Sequence, residues 1–227
     1  MSTVPPQPPS TLPPVTVTPL PWEARDTRGF LPALFDTLGL FWSRPSEAWA
    51  RTRESGDVGS PLLFAVLVAW VSIIIQTVTL RVINMPALPG RWGRFGMMQS
   101  RGIAGLIGTI VLAPIIVMII LFIMSLILHV ACLIVGALNN STAGLEGTLR
   151  VVAYSDAAHI ASVVPFIGPL IALVWWIYLA VMGISRIHHT TQGKAIAAIL
   201  IPFVVCCGGV ALLAMLAGAA YFSRFGR

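Results

Sequence analysis

The sequence predicts an all-α fold: a polytopic membrane helix bundle of five transmembrane helices with an N-terminal interfacial amphipathic helix. Three observations support this class. Apolar residues make up 57% of the 227 positions, charged residues make up only 10%, and the mean hydropathy is +0.89. A soluble domain carries about a quarter charged residues, so this chain cannot cover a surface that faces water. The same numbers exclude a disordered protein, a basic nucleic-acid-binding domain and a secreted disulfide scaffold.

The first segment, residues 1–27, is predicted to be a disordered proline-rich tail. Residues 1–22 hold eight of the seventeen prolines, and the first charged side chain is Glu23. Proline removes backbone donors and favours extended polyproline II, so a packed structure is not expected there. The tail has no cationic start followed by an apolar core, which argues against a cleavable signal peptide.

Residues 28–60 are predicted to form an amphipathic segment that lies along the membrane interface. Phenylalanine and leucine recur at helical spacing, but neither half of the segment reaches the ~20 apolar residues that cross hydrocarbon. Tryptophans mixed with arginines are typical of helices at the headgroup boundary. The predicted anchors are Trp42, Trp49, Arg51 and Arg53. The alternative is a cytosolic helix packed on the membrane domain.

Apolar stretches predict a five-span membrane domain over residues 61–222, followed by a short tail, 223–227. The stretch from 103 to 138 is about 54 Å long as a helix, which exceeds the ~30 Å of hydrocarbon. Two spans would need a turn, and Ala113-Pro114 supplies no loop residues, so one long tilted or kinked helix is expected. The predicted spans are 61–83, 103–138, 145–164, 169–187 and 194–222.

The third predicted span is the least apolar and carries the candidate intramembrane polar site. Helical spacing brings Asp156 and His159 to one face, together with Ser155 and Ser162. A charge at the bilayer centre is costly unless paired, so this face is expected to turn into the bundle. His129, in the second span, is the expected cross-helix partner. The candidate site residues are Asp156, His159, His129, Ser155 and Tyr154.

Catalytic and metal-binding motifs do not emerge from the sequence. Ser155, Asp156 and His159 contain the letters of a hydrolase triad, but neighbours on one helix do not readily supply the required geometry. His188 and His189 are adjacent, and helical neighbours point about 100° apart, so joint metal chelation is not expected. The three cysteines lack disulfide or zinc spacing. The sequence predicts no enzyme, no cofactor and no metal.

Positive charges beside the apolar stretches are typical of contacts with lipid headgroups, not with nucleic acid. With a cytoplasmic N-terminus, eight Lys/Arg residues fall on the cytoplasmic side and six on the other, which favours that orientation. A stripe of small residues in the last span permits close helix contact, within the bundle or between two copies. The stripe consists of Cys207, Ala211, Ala214 and Gly218. The expected partners are the lipid bilayer and other protein chains or a second copy.

The order of several motifs resembles the Yip-domain family of Ypt/Rab-interacting multi-span membrane proteins. The resemblance covers roughly residues 40–220. Members often have a proline shortly after the Tyr-Ser pair, whereas here Asp156-Ala157-Ala158-His159 follows Tyr154-Ser155. The residues that carry it are Pro45 with Trp49, His129, the stretch 148–155 (TLRVVAYS), Pro165 with Gly168, Trp175, Gly183 and the stretch 189–195 (HTTQGKA).

The resemblance implies a five-span protein with a cytosolic N-terminal region. Eukaryotic members are linked to Rab GTPases and to vesicle formation, while the short proline-rich tail suggests a bacterial branch without a Rab partner, in the bacterial inner membrane. The implied function is a non-enzymatic membrane scaffold or adaptor that takes part in membrane organisation or trafficking-like processes. The alternative is a small ion, proton or metal transporter or channel that uses Asp156, His159 and His129.

Overall fold

The computed structural model describes residues 18–82 and 103–225, and every regular element in these residues is helical. The predicted connection from 84 to 102 lies outside them. Two segments, Pro21–Ala24 and Asp156–Val163, are 3₁₀ helices. The α-helices are α1 (Arg25–Arg28), α2 (Phe30–Ser43), α3 (Pro45–Arg51), α4 (Gly59–Val82), α5 (Ile103–Ile134), α6 (Gly144–Ser155), α7 (Gly168–Ile187) and α8 (Gln192–Phe225).

Three helices are long and apolar enough to cross a membrane. They are Gly59–Thr79 of α4, Ile107–Ile134 of α5, and Gly168–Ile187, which is α7. Large apolar side chains on α5 point outward and are about half exposed, which is the pattern expected when hydrocarbon and not water surrounds a helix. The chain is therefore an integral membrane protein, and three of the five predicted spans meet the criteria of length and composition.

The stretch that was too long for one straight span is a single helix. Helix α5 continues through Pro114 without a turn, although proline removes one backbone hydrogen bond at that point. It ends at Ile134, four residues before the predicted boundary, where Gly136 adopts a positive φ of 65° and the chain turns. That conformation favours glycine because glycine has no Cβ to clash.

The weakly apolar third segment lies at the centre of the bundle. Helix α6 runs to Ser155 and continues as the 3₁₀ segment Asp156–Val163. Every residue from 147 to 158 is buried, with α4, α5 and α7 packed around it. The expectation that other helices shield this segment therefore agrees with the structure, and the shielding explains why polar side chains are tolerated in it.

Helix α8 is one continuous helix with Pro202 inside it. Its described apolar part runs from Gln192 to Val205. The side chains of most of its second half, including all four small residues of the predicted stripe, lie outside those that the structure describes. The stripe stays a prediction.

The chain before the first span folds onto the bundle. Leu20 and Trp22 have no exposed surface, and the indole Nε1 of Trp22 donates to the Ser60 carbonyl at 2.7 Å. The prediction of a disordered tail up to residue 27 is therefore wrong for residues 20–27, because burying an indole and a leucine offsets the ordering cost. Residues 1–17 lie outside the described part of the chain.

Helices α2 and α3 also pack against the bundle. Trp49 is 1% exposed, and its ring fills a notch over Gly183 of α7, where a Cβ would approach within 2.8 Å of the ring. Phe41 meets the Trp49 ring edge-on and stacks on Tyr154. The prediction that Trp49 is an interfacial anchor is therefore wrong, because a buried indole cannot lie among headgroups.

Several helix ends meet at one end of the bundle, which we call the polar end. Lys194 Nζ donates to the Gly136 carbonyl at 3.0 Å and joins the start of α8 to the end of α5. Arg186 Nη1 lies 2.9 Å from Glu54 Oε1 and joins the end of α7 to the segment before α4. Helix α6 starts at this end as well, because Arg150 donates to the Gly56 carbonyl.

Candidate functional site

A cavity of about 580 Å³ lies inside the bundle. Its walls come from α4, α5, α6, α7, α8 and the 3₁₀ segment that follows α6. Most of the lining is apolar, which is usual for ligand pockets, and a few polar groups converge on it. The polar residues of the lining are Ser72, Gln76, Asp156, His159, Ser162 and Trp176.

The 3₁₀ geometry decides which polar residues reach the cavity. Three residues per turn place positions three apart on the same edge of the helix, so Asp156, His159 and Ser162 share an edge, and all three line the cavity. Ser155 does not. Its hydroxyl is buried and has no hydrogen-bond partner among the described residues. The common face predicted from α-helical spacing therefore loses Ser155.

Two polar side chains of the described residues approach the carboxylate of Asp156, and both lie near the same oxygen atom. Trp176 Nε1 donates to Oδ1 at 3.1 Å, and His159 Nδ1 lies 3.3 Å from Oδ1. The imidazole is too poorly aligned for a hydrogen bond. No described residue donates to Oδ2 of Asp156. The histidine beside Asp156 is therefore His159, which was predicted to share its face, and the contact is local to the 3₁₀ segment.

The predicted cross-helix pairing of Asp156 with His129 is wrong. His129 Nδ1 lies 2.9 Å from the Thr148 hydroxyl, which also lies 3.0 Å from His188 Nε2. His188 Nδ1 in turn lies 2.7 Å from the Ser141 hydroxyl. His129 therefore joins a hydrogen-bonded chain near the polar end, which links α5, α6 and the end of α7. The sequence analysis did not assign a role to Thr148 or Ser141.

His188 is fully buried in this chain of hydrogen bonds. Burial lowers the pKa of His188 to about 4, and the nearby imidazoles of His129 and His189 act in the same direction. The ring is therefore neutral at physiological pH, and one nitrogen donates while the other accepts.

Tyr154 belongs to a third polar cluster, which is built around Arg150. The Tyr154 hydroxyl donates to Glu23 Oε1 at 3.1 Å, and Arg150 Nη1 lies 3.3 Å from the same oxygen. Arg150 Nη2 donates to Glu146 at 3.1 Å and to the Gly56 carbonyl at 2.5 Å. The sequence analysis missed this cluster, although Glu23 is the first charge after a long uncharged tail.

Burial and the neighbouring groups shift the pKa of Glu23 in opposite directions. Burial raises the pKa of Glu23, while the Arg150 charge, the Tyr154 hydroxyl and Arg53 lower it. Arg53 lies 3.4 Å from Glu23 Oε2 with its side chain more than half exposed. Of the other predicted anchors, Arg51 pairs with Glu47 on the surface of α3.

Trp42, the remaining predicted anchor, contacts protein on two sides. Its Nε1 donates to the Ala157 carbonyl at 3.0 Å, and its ring stacks on Trp175 with centroids 5.1 Å apart. The side chain thereby fixes α2 against the 3₁₀ segment and α7. The stacked pair gives Trp42 a structural role, whether or not lipid also reaches it.

The chemistry that these groups can perform is limited. Among the described residues, no three potential ligands from His, Cys, Asp and Glu come together as a metal site. Asp156 and His159 are in contact, but the unpartnered Ser155 hydroxyl does not meet them, so the triad geometry is missing. The described residues therefore provide a mainly apolar cavity with one carboxylate, and two polar clusters, the histidine chain and the Arg150 cluster, that join helices.

Comparison with known proteins identifies the family. The Yip1 domain model matches residues 38–215, which is more than half of the chain. The match contains the cavity, the buried Arg150 and the histidine chain, while Glu23 precedes it. No curated protein matches the chain, and no solved structure matches it. The chain belongs to the Yip1-domain family.

Proposed function

We propose that the protein is a non-enzymatic integral membrane scaffold or adaptor of the Yip type, which holds partner proteins or lipids at the membrane. The observation that supports this role is the way the buried charges at the polar end are used. Arg150, 1% exposed, is held by Glu23, Glu146 and backbone carbonyls instead of facing an open site. These contacts fix the 3₁₀ helix Pro21–Ala24 and the segment before α4 to α6, and an adaptor requires a firmly held surface of this kind.

The surface offered to partners is the charged exterior of the polar end. His189 is exposed there, after α7, and Arg44 is exposed at the N-terminal side of α3. A photo-crosslinking amino acid placed at either position in native membranes should give a discrete protein adduct. The matched control is the same group at Ile119, on the outward face of α5, which should give lipid adducts only. Identical lipid-only labelling at all three positions would contradict the adaptor role.

A five-span topology with a cytoplasmic N-terminus, in a bacterial inner membrane, is part of the proposal. Helix α6 and its 3₁₀ continuation would be about 34 Å long together, and α8 about 51 Å, so both exceed the ~30 Å of hydrocarbon. Cysteine labelling at positions 3 and 226, in a chain without its native thiols, should reach opposite sides. Labelling of both positions from one side would exclude an odd number of spans.

The exposed face of α2 supports placing this helix on the membrane surface. Phe30, Leu31 and Phe35 are each about half exposed or more, and together they form an apolar strip beside the bundle. Such a strip fits the boundary between headgroups and acyl chains. A spin label at position 35 should therefore collide more often with oxygen than with a water-soluble nickel chelate. The opposite preference would place α2 in water.

Ion, proton or metal transport is the second candidate, because the cavity reaches Asp156 and His159. Buried ionisable groups in membrane segments often mark ion pathways. Proteoliposomes with an internal pH dye test this directly. A proton flux that disappears in Asp156→Asn would replace the scaffold proposal, and the scaffold proposal expects no flux above empty liposomes.

A further inference from the structure

The cavity is open toward the sides of the bundle. Four of its lining side chains, Ile120, Met124, Leu173 and Phe203, are 40–51% exposed, and they belong to α5, α7 and α8. A wall of this kind gives a molecule in the bilayer a lateral entrance. An aqueous solute would need a polar path from a bundle end, and the lining is mainly apolar.

The polar groups of the cavity lie at one level along the bundle axis. Asp156 follows Gly144 by twelve residues, and Trp176 precedes Ile187 by eleven, so both are about 17–18 Å from the polar end. Ser72, thirteen residues into α4, lies at about 20 Å. Three independent helices therefore give the same level, which is also the level of Trp42 at the end of α2, because its indole donates to the Ala157 carbonyl.

The charge in the cavity is incompletely matched. Trp176 donates one neutral hydrogen bond to Asp156 Oδ1, and His159 Nδ1 lies 3.3 Å from the same oxygen, where it forms an ion pair only when the imidazole is protonated. Among the described residues, none donates to Oδ2, and no lysine or arginine lines the cavity. An ionised carboxylate surrounded by hydrocarbon requires a cationic or strongly donating partner.

We propose that this cavity binds a single-chain membrane amphiphile with a primary amine head. The ammonium group contacts Asp156, with Oδ2 as its acceptor, and the hydrocarbon chain lies along the apolar wall of α5. An anionic head would meet the carboxylate as a like charge, and a neutral head would bring no charge to Oδ2. A volume of about 580 Å³ is in the range of small-molecule sites and suits one chain better than a two-chain phospholipid.

The test uses the full-length protein in phosphatidylcholine nanodiscs with three photoreactive C12 probes. These are dodecylamine, dodecanol and dodecanoate, each with a diazirine at the chain end. The amine should label the wall of α5 around Val117, which lies beyond the level of Asp156, and reach half-saturation at a concentration at least about tenfold lower than either other probe. This selectivity is measured on the unaltered protein, so it does not depend on any variant folding.

Two variants locate the site. Asp156→Asn should raise the half-saturating amine concentration at least about tenfold and leave dodecanol labelling unchanged, because only the charge is removed. Ala69→Phe, which narrows the cavity, should weaken labelling by all three probes. Asp36→Asn, outside the cavity in an exposed pair with Arg28, is the matched control and should change nothing. Equal or tighter labelling by the alcohol or the carboxylate, or labelling spread over all outward helix faces, would overturn the proposal.

Discussion

The buried pair of Glu23 and Arg150 predicts a large loss of stability when Glu23 is changed to alanine. Glu23 Oε1 accepts hydrogen bonds from Arg150 Nη1 at 3.3 Å and from the Tyr154 hydroxyl at 3.1 Å. Both charged side chains are at most 3% exposed, so water does not replace the lost carboxylate. In Glu23→Ala, neither Nη1 nor the Tyr154 hydroxyl keeps a described acceptor.

The size of the loss follows from the groups left unpaired. Breaking a buried ion pair by removing one partner costs about 3–5 kcal/mol, and a buried hydroxyl without an acceptor costs about 1–3 kcal/mol. Arg150 keeps Glu146 at 3.1 Å and the Gly56 carbonyl, which reduces the loss. We therefore expect Glu23→Ala to lower the free energy of unfolding by about 3 kcal/mol, the lower end of the range.

The assay is reversible unfolding of the full-length protein in mixed micelles of detergent and sodium dodecyl sulfate, at pH 8. Glu47→Ala is the matched control, because Glu47 pairs with Arg44 and Arg51 on the surface of α3. Exposed pairs contribute about 0–1 kcal/mol, so the control should stay within that range. A double-mutant cycle with Arg150→Met should show a coupling energy of at least about 2 kcal/mol between positions 23 and 150.

A small effect would refute the reasoning. If Glu23→Ala costs no more than Glu47→Ala, the N-terminal segment does not hold Arg150 in the folded protein. Additive effects of Glu23→Ala and Arg150→Met would lead to the same conclusion, because two groups that do not interact give no coupling energy.

Two further predictions concern pH and packing. Burial lowers the pKa of His188 to about 4 in the folded protein, whereas the unfolded chain takes up the same proton near 6.5. The free energy of unfolding should therefore fall by about 3 kcal/mol as the pH drops from 7 to 4. Unfolding in mixed micelles should show a flatter pH profile in His188→Gln but not in the control His189→Gln. Gly183→Ala should lower the free energy of unfolding by about 1–3 kcal/mol, because its Cβ would meet the Trp49 ring at 2.7 Å. The control Gly193→Ala, with open space around it, should be near neutral in the same thermal unfolding assay. Equal losses in the two variants would contradict the close packing of Trp49 on Gly183.

The helical fold was predictable because composition and run length decide it. Apolar runs of 20 residues or more are needed to cross hydrocarbon, and such runs can be read directly from the sequence. The continuity of α5 was predictable as well, because Ala113-Pro114 offers no loop residues, and the helix continues through this point. Boundaries shifted by a few residues where turn geometry, such as that at Gly136, ended a helix early.

The position of Trp49 was not predictable in the same way. Arginines and tryptophans at helical spacing occur both in interfacial helices and in helices that insert an indole into a protein notch. The deciding feature is Gly183, which leaves room for the ring and lies far away in the sequence. Hydrophobic pattern contains no information about such a distant partner, so only tertiary structure separates the two interpretations.

The partner of His129, by contrast, follows from arithmetic on helix rise once the shared end of the bundle is known. His129 lies five residues before the end of α5, about 8 Å from the polar end, and Thr148 lies four residues into α6, about 6 Å from it. Asp156, at about 18 Å, is a further 10 Å away along the bundle axis. A side-chain hydrogen bond spans about 3 Å between heavy atoms, so the depth difference alone excludes Asp156 and selects Thr148. Matching depths along antiparallel helices is therefore a stronger guide to polar pairs in a membrane bundle than matching their chemistry.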